Sequence, residues 1–408
     1  MPATASPTTG PSATTSPAHT PWPLARRLAH GAAAALPAES VPLAGAVGRV
    51  LAEDVVALTA MPTADSSAMD GWAVRGDPPW RVVGSVLAGH PVGRPLAPGT
   101  AVAIATGAAV PPGTGAVLRS ERGTPDAAGL LRPRPGAPVP GPGADVRPRG
   151  GEAREGDVLL AAGALLNPPA LGLAAAGGND TVRVHRPPAV GCLVLGDELV
   201  TGGVPAPGRV RDALGPQLPW WMAALGAGPV RLRHVPDTLD ALHSCAVAEL
   251  RTADVLVTTG GSAHGPVDHV RACLERVGAR ILVDGVAVRP GHPMMLARLP
   301  DHRWWVALPG NPLAACAALL TLLQPLVAGL CGRPLPPLRR APLAIDVFSP
   351  SGDHRLLPYR VDADGAATPR VHSGPAMLRG LADSPGLLAV PPDGARAGRL
   401  VDVLPVPW

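Results

Sequence analysis

Lysine is missing from this 408-residue chain: all 35 of its cationic residues are arginine. A site for an anion must therefore be built from arginine, histidine or backbone N–H groups. Phenylalanine and tyrosine occur once each, which leaves alanine, valine and leucine to fill most of the cores. Only 16% of the residues are charged, and the net charge of +4 is spread along the chain. With no basic run interleaved with aromatics, nucleic-acid binding has little support. The five cysteines (Cys192, Cys245, Cys273, Cys316 and Cys331) are odd in number, widely spaced and form no CxxC. They read as small apolar residues in a reducing cytoplasm, not as disulfides or a zinc site. The chain does not open with a charged start followed by an apolar core, so no signal peptide is expected, and Arg26-Arg27 lacks the apolar stretch of a twin-arginine signal. One uncharged run, Leu313 to Leu330, has the length of a membrane span. It is rich in alanine, is interrupted by Gln324-Pro325 and directly follows Pro-Gly-Asn-Pro. A buried core helix is the expectation, with no membrane partner.

What is present is a chain long enough for two to four domains, with 46% apolar residues to build their cores. Residues 1 to 21 are Thr, Ser, Pro and Ala without apolar pattern and read as a disordered tail. A helix is expected over Pro23 to Leu36. Short strands at close spacing from Arg81 to Leu131 suggest a small β domain. Residues 132 to 149 read as a connector, and Ala153 to Val184 returns to helix-forming content. From Pro188 strands alternate with helices, the pattern of a three-layer α/β domain with a parallel sheet. The last stretch, from about Pro334, reads as a small β domain.

Within the α/β region, Ala253-Asp254-Val255-Leu256-Val257 is a buried-strand pattern that stops at Thr258-Thr259-Gly260-Gly261. Val267, Val270, Leu274 and Val277 then recur at helical spacing. A strand that ends in glycines and feeds a helix start is a physical anion site. Asp268 falls in the first helical turn. There it is either a helix-start acid or a ligand for a cation between itself and a phosphate. The other expected strand ends carry Asp197-Glu198, Arg289 and Pro309-Gly310-Asn311, with Asn311 suited to the N-cap and Pro312 to the first helical position. Ligands of parallel sheets bind at such ends.

Ser67-Ala68-Met69-Asp70-Gly71-Trp72-Ala73-Val74, Thr106-Gly107-Ala108, Gly196-Asp197-Glu198-Leu199, Thr259-Gly260-Gly261, Arg289-Pro290-Gly291 and Leu308-Pro309-Gly310-Asn311-Pro312 follow one another along the chain. In this order and spacing the chain resembles the molybdopterin molybdenumtransferase family, to which the catalytic domain of gephyrin is similar. The resemblance covers roughly residues 23 to 404. It implies a discontinuous linker domain over 22–57 and 148–186, an inserted β domain over 58–147, an α/β molybdopterin-binding domain over 187–333 and a C-terminal β-barrel over 334–408. It implies a homodimer with Asp70 reaching the site from the partner subunit. The implied reaction is insertion of molybdate into adenylylated molybdopterin with Mg²⁺, releasing AMP. Glu198, Asp237 and Asp268 are the implied metal ligands and, with Asp70 and Arg289, the implied catalytic set. Thr106, Gly107, Gly260, Gly261, Gly291, His292, Pro309, Gly310, Asn311, Arg360 and Ser373 are the implied substrate contacts.

The chain departs from the family pattern at several of these places. Arg289 and His292 stand where lysines are usual. Leu214 replaces an Asn, Leu195 a hydroxyl residue and Ser262-Ala263-His264 a Val-Ser-Val. Gly151 replaces a Glu, with Glu152 beside it. Each change removes a donor or alters a charge, so two readings stand: an active transferase, or a catalytically weak relative that holds molybdopterin or its adenylate as a carrier or scaffold.

Overall fold

The computed structural model describes residues 19–90, 94–261 and 269–408. The chain divides into two compact units, one made of the segment up to Pro37 together with His185–Trp408, the other of Ala38–Val184.

The first unit is built on a six-stranded sheet in the order Val230–Val235, Val190–Leu195, Val255–Thr259, Trp304–Leu308, Met295–Arg298, Arg280–Asp284. The first four strands are parallel, with Val190 level with Val255 and Val255 level with Trp304. Met295–Arg298 runs antiparallel to both of its neighbours, so the sheet is mixed where a parallel one was expected. The reason lies in the connection. After Arg280–Asp284 the chain makes no crossover helix; it runs out through Val286–Arg289 to a different sheet and returns through Met295–Arg298.

Because the central strands are covered on both faces, their residues are buried and, but for Gly191, Thr258 and Thr259, apolar, alternating between two cores. Val190, Cys192, Val194, Val255, Val257, Trp304 and Val306 face the helices Trp22–Gly31, Leu218–Leu225 and the long helical run Pro312–Leu330. Leu193, Leu195, Leu256, Trp305 and Ala307 face Leu239–Glu249 and His269–Arg276. The run Pro312–Leu330 is long and apolar enough to cross a membrane by length and composition, yet 94% of its apolar window is buried inside the protein, as a core helix should be. Trp22 is fully buried against it and donates from Nε1 to Thr321 Oγ1 at 3.1 Å. Arg26 is also buried, donating to the Leu320 and Pro336 carbonyls, and burial lowers its pKa to about 10. The helix Trp22–Gly31, expected in the linker domain, thus packs in the α/β unit. All five cysteines are free; burial pushes the Cys192 and Cys316 thiols up to about 12, which leaves them inert at neutral pH.

A second sheet of this unit runs in the order Thr20–Pro21, Val286–Arg289, His354–Val361, Gly386–Val390, Leu400–Pro405, Arg339–Pro342, with Ala367–Pro369 paired to His354–Val361. Thr20 and Pro21, expected in the tail, form its edge strand, level with Val286 and Ala287.

The second unit carries a six-stranded sheet in the order Ala116–Arg119, Gly71–Val74, Thr100–Ile104, Trp80–Val86, Leu130–Pro133, Gly123–Pro125. Its flanking segments pair with each other: Val55–Val56 with Val158–Leu160 and Ser66–Ser67 with Val146–Arg147. Leu51, Val55, Leu166, Val182 and Val184 close a separate small core there.

Candidate active site

The carboxyl ends of Val190–Leu195, Val255–Thr259 and Trp304–Leu308 open into one cavity of about 730 Å³. The loops that leave these ends are packed backbone against backbone. Gly260 and Gly261 have φ of +87° and +58°, the left-handed region that glycine tolerates. A Cβ on Gly260 would lie 3.1 Å from the Leu195 carbonyl oxygen, and one on Gly310 would lie 3.4 Å from the Gly260 Cα. Bulkier residues would force the loops apart.

Carboxylates enter the cavity from the neighbouring strand ends. Asp197 accepts a hydrogen bond from the Asp237 N–H and Asp237 accepts one from the Asp197 N–H, both at 3.3 Å. This reciprocal pair ties the two loops together and holds two acids close. Glu198 lines the cavity with Asp237. Burial raises the Asp237 carboxyl above its ordinary pKa; the Asp197 N–H opposes the shift, and the charges of Asp197 and Glu198 add to it. His269 Nε2 lies 3.1 Å from the Asp237 carbonyl oxygen.

Two further groups of the lining were not singled out from sequence. Asp212 is 5% exposed. Its Oδ1 accepts from the Leu214 and Gly215 N–H groups, both at 2.9 Å, and its Oδ2 lies 2.8 Å from His234 Nε2. Burial alone would raise this carboxyl, but the Gly215 N–H and His234 outweigh it and hold the group below its ordinary value. Arg211 brings positive charge to the same wall. The available signal for Asp212 was an Asp followed three residues later by Gly, ahead of a proline-started helix, which is an Asx-turn pattern. Leu195 and Leu214 line the cavity and are both buried, each a member of a neighbouring core.

Pro309, Gly310 and Asn311 also line it. Asn311 occupies the N-cap position of the helix that starts at Pro312, but its side chain makes no capping hydrogen bond. One N–H of that first turn, from Ala314, is taken by the Pro375 carbonyl at 3.1 Å.

Other expected site residues lie elsewhere. Arg289 pairs with Asp353 at 3.1 Å, and its Nη1 is 3.3 Å from His292 Nδ1. Of that loop it is Pro293 that reaches the cavity wall. A Cβ on Gly291 would meet Met294 Cε at 3.0 Å and the Ala314 carbonyl oxygen at 3.1 Å, so this glycine serves close packing on the long helix. Arg360 pairs with Asp362 at 2.6 Å and lines a separate cleft of about 500 Å³ with Arg370, His372 and Arg379; Ser373 is the next residue, its N–H bonded to the Val371 carbonyl. In the second unit, Asp70 accepts the Thr106 N–H at 2.7 Å, and the Gly107 N–H donates to the Ser67 carbonyl, so these three expected residues converge with one another. Asp268 lies outside the described residues. Among the described residues no group of three or more His, Cys, Asp or Glu is placed to hold a metal.

Three family profiles match consecutive parts of the chain: the MoeA N-terminal region (domain I and II) over residues 22–178, the "probable molybdopterin binding domain" over 191–329, and the MoeA C-terminal region (domain IV) over 340–406. The molybdopterin molybdenumtransferase of Synechococcus elongatus is 33% identical over 395 residues, spanning 92% of this chain and 96% of its own. The chain belongs to the molybdopterin molybdenumtransferase family. The family member of Haemophilus influenzae is 34% identical over 72% of this chain and 73% of its own. A crystal structure of the molybdopterin biosynthesis MoeA protein of Pyrococcus horikoshii has 25% identity and a TM-score of 0.79, covering 95% of this chain and 99% of that one. As a molybdopterin molybdenumtransferase the chain is a transferase of molybdenum cofactor biosynthesis. The strand-end loops that form the cavity fall inside the matched molybdopterin-binding domain.

Proposed function

We propose that the chain inserts molybdate into adenylylated molybdopterin, with Mg²⁺-dependent release of AMP, to give molybdenum cofactor. The observation that carries this reading is that Glu198 and Asp237 share a cavity with the glycine-rich strand ends. Phosphate groups suit the strand-end backbone, and carboxylates beside phosphates call for a cation. The donor set fits Mg²⁺: hard carboxylate oxygens, with one or two protein ligands sufficing when phosphate and water complete the shell. Glu198 and Asp237, with Asp268, would hold it, and when bound it would offset charge on the anhydride phosphates.

The chain's own groups divide the remaining work. Gly260, Gly261, Gly310 and Asn311 orient the pterin phosphate against backbone and amide donors. Asp212, fixed by three hydrogen bonds, presents a rigid acceptor to polar groups of the pterin. Arg289, His292, Arg360 and Ser373 attract molybdate. Water attacks the pterin-side phosphorus of the anhydride and forms a new P–O bond as the P–O bond to AMP breaks; AMP leaves with that electron pair and the water's protons pass to solvent. Asp70, Thr106 and Gly107 belong to the same reading as groups supplied by a partner subunit of a homodimer, acting in the cytoplasm.

The test is single-turnover release of AMP from adenylylated molybdopterin by the purified chain, with Mg²⁺ and molybdate. Release that depends on both supports the reading; release that ignores molybdate overturns it. A second reading, tight binding without release, is favoured by one observation, the apolar Leu195 and Leu214 in the cavity wall. Saturable binding with no AMP formed would select it.

A further inference from the structure

We infer that the chain carries a second oxyanion site at the other end of the central sheet, centred on Arg298. A cavity of about 300 Å³ lies there, between the amino ends of the parallel strands and the turn that follows the helix Trp22–Gly31. Its size is at the low end for ligand pockets. The five-residue strands separate it from the active-site cavity by roughly 17 Å.

The charges lining this cavity are mostly answered within the chain. Asp254 accepts two hydrogen bonds from Arg186, at 2.6 and 2.7 Å, and one from the Ala189 N–H at 2.8 Å. Asp301 pairs with Arg303 at 3.4 Å. Arg298 has no such answer. Among the described residues its buried Nε has no hydrogen-bond partner, and its guanidinium carbon lies 5.5 Å from the centre of the buried Trp304 ring. A buried N–H left unmade is costly, and stacking on an indole neutralises none of the charge.

The sheet register sharpens the point. Arg298 stands directly opposite Trp304 on one neighbouring strand and directly opposite Arg280 on the other. Directly opposed residues share a face, and like charges so placed repel. Arg298, with its orphaned buried N–H, is the lining group suited to a negative one, and Arg280, level with it outside the lining, adds like charge from the next strand. A carboxylate or phosphate oxygen there would accept from Arg298 and screen it from Arg280. Apart from His302, the rest of the cavity wall is apolar, with Ala34, Ala35, Leu36 and Leu330 among its residues, which suits a small apolar body. The ligand class is a small organic oxyanion, a carboxylate or a phosphate ester, with its charged end at Arg298.

The experiment is calorimetric titration of the full chain with inorganic phosphate and with benzoate, at fixed ionic strength in chloride. Saturable binding of at least one probe is expected in the millimolar range. It should weaken at least about tenfold in Arg298→Met and stay unchanged in Arg396→Met, which removes an exposed arginine that lines neither cavity. Binding of phosphate alone assigns the site to phosphate esters, and of benzoate alone to carboxylates. Ala34→Leu, which narrows the cavity from an exposed position with Arg298 kept, should weaken binding too and decides the matter if Arg298→Met does not fold. Equal binding by the folded variants and the parent chain, or no binding of either probe to the parent, would overturn the proposal.

Discussion

The two ends of the central sheet are made by the same strands and treat Asp254 and Asp237 in opposite ways. At the amino end, Asp254 loses solvent but gains Arg186 and the Ala189 N–H; burial resists its ionisation, and these partners still bring its carboxyl below the ordinary value. At the carboxyl end, Asp237 loses solvent and gains more negative charge, so its carboxyl is raised. Among the described residues no arginine pairs with it. A carboxylate that serves the scaffold is neutralised by the chain itself. One left in conflict with its neighbours marks where a ligand belongs. Arg298 is the same signature with the sign reversed, set at the end where every other lining charge has a partner.

The comparison breaks most sharply on paired substitutions. Asp237→Asn should cut AMP release on the order of 100-fold while leaving the melting temperature equal or higher. The sign follows from the raised carboxyl: its folded-state pKa lies above the unfolded one, so the ionised form disfavours the fold at neutral pH, and the amide removes that penalty. A variant that melts early yet turns over normally would make the carboxyl end scaffold. Asp254→Ala should do the reverse, losing about 2 kcal/mol in urea unfolding with AMP release per folded molecule kept. Because the Asp254 carboxyl is depressed, its contribution is present above the unfolded pKa, about 3.9, and fades as pH falls through the folded value. Parent and variant stabilities should therefore converge in acid; a constant gap would show that Asp254 acts through packing.

A smaller effect concerns the pH profile. If Asp237 must be ionised, turnover falls as pH drops through its raised pKa, and the acid limb lies above that of an ordinary carboxylate. Glu198→Gln removes one negative neighbour and should move the limb of the residual activity to lower pH. An unmoved limb assigns the titration to another group. The smallest expected change is Leu214→Asn, which returns a polar side chain to the cavity wall. It should tighten substrate binding by roughly fivefold, the worth of one hydrogen bond, read as KM against kcat; a change in kcat alone would place the residue outside ligand contact.

Much of the α/β region was legible in the residues, because buried strands announce themselves. Val190–Leu195, Val255–Thr259 and Trp304–Leu308 are uncharged, largely apolar runs, and the strand ends with Glu198, Asp237, Gly260 and Pro309 do meet in one cavity. The antiparallel edge was not legible, since Arg280 to Val283 reads as one more strand of a parallel sheet and Val288 to Pro293 as the loop that leaves it, until the pairing of Val286–Arg289 with His354–Val361 is known. Thr20–Pro21 is too short to show a period. The separation of Arg289 and Arg360 from the acid-lined cavity was equally hidden, because each is held by a nearby aspartate, Asp353 or Asp362. Asp212 escaped notice because its burial and its bond to His234 exist only after the strand Val230–Val235 has packed.

The edge strand Thr20–Pro21 is among the earliest described parts of the chain to leave the ribosome, and its partner Val286–Arg289 is among the later ones. At ordinary synthesis rates the partner follows on the order of tens of seconds afterwards. Within that interval the segment Ala38–Val184, a compact unit of its own, is made, while Trp22 and its helix wait for the long apolar run they cover. A chaperone acting on the nascent chain would find an apolar client surface on that waiting helix.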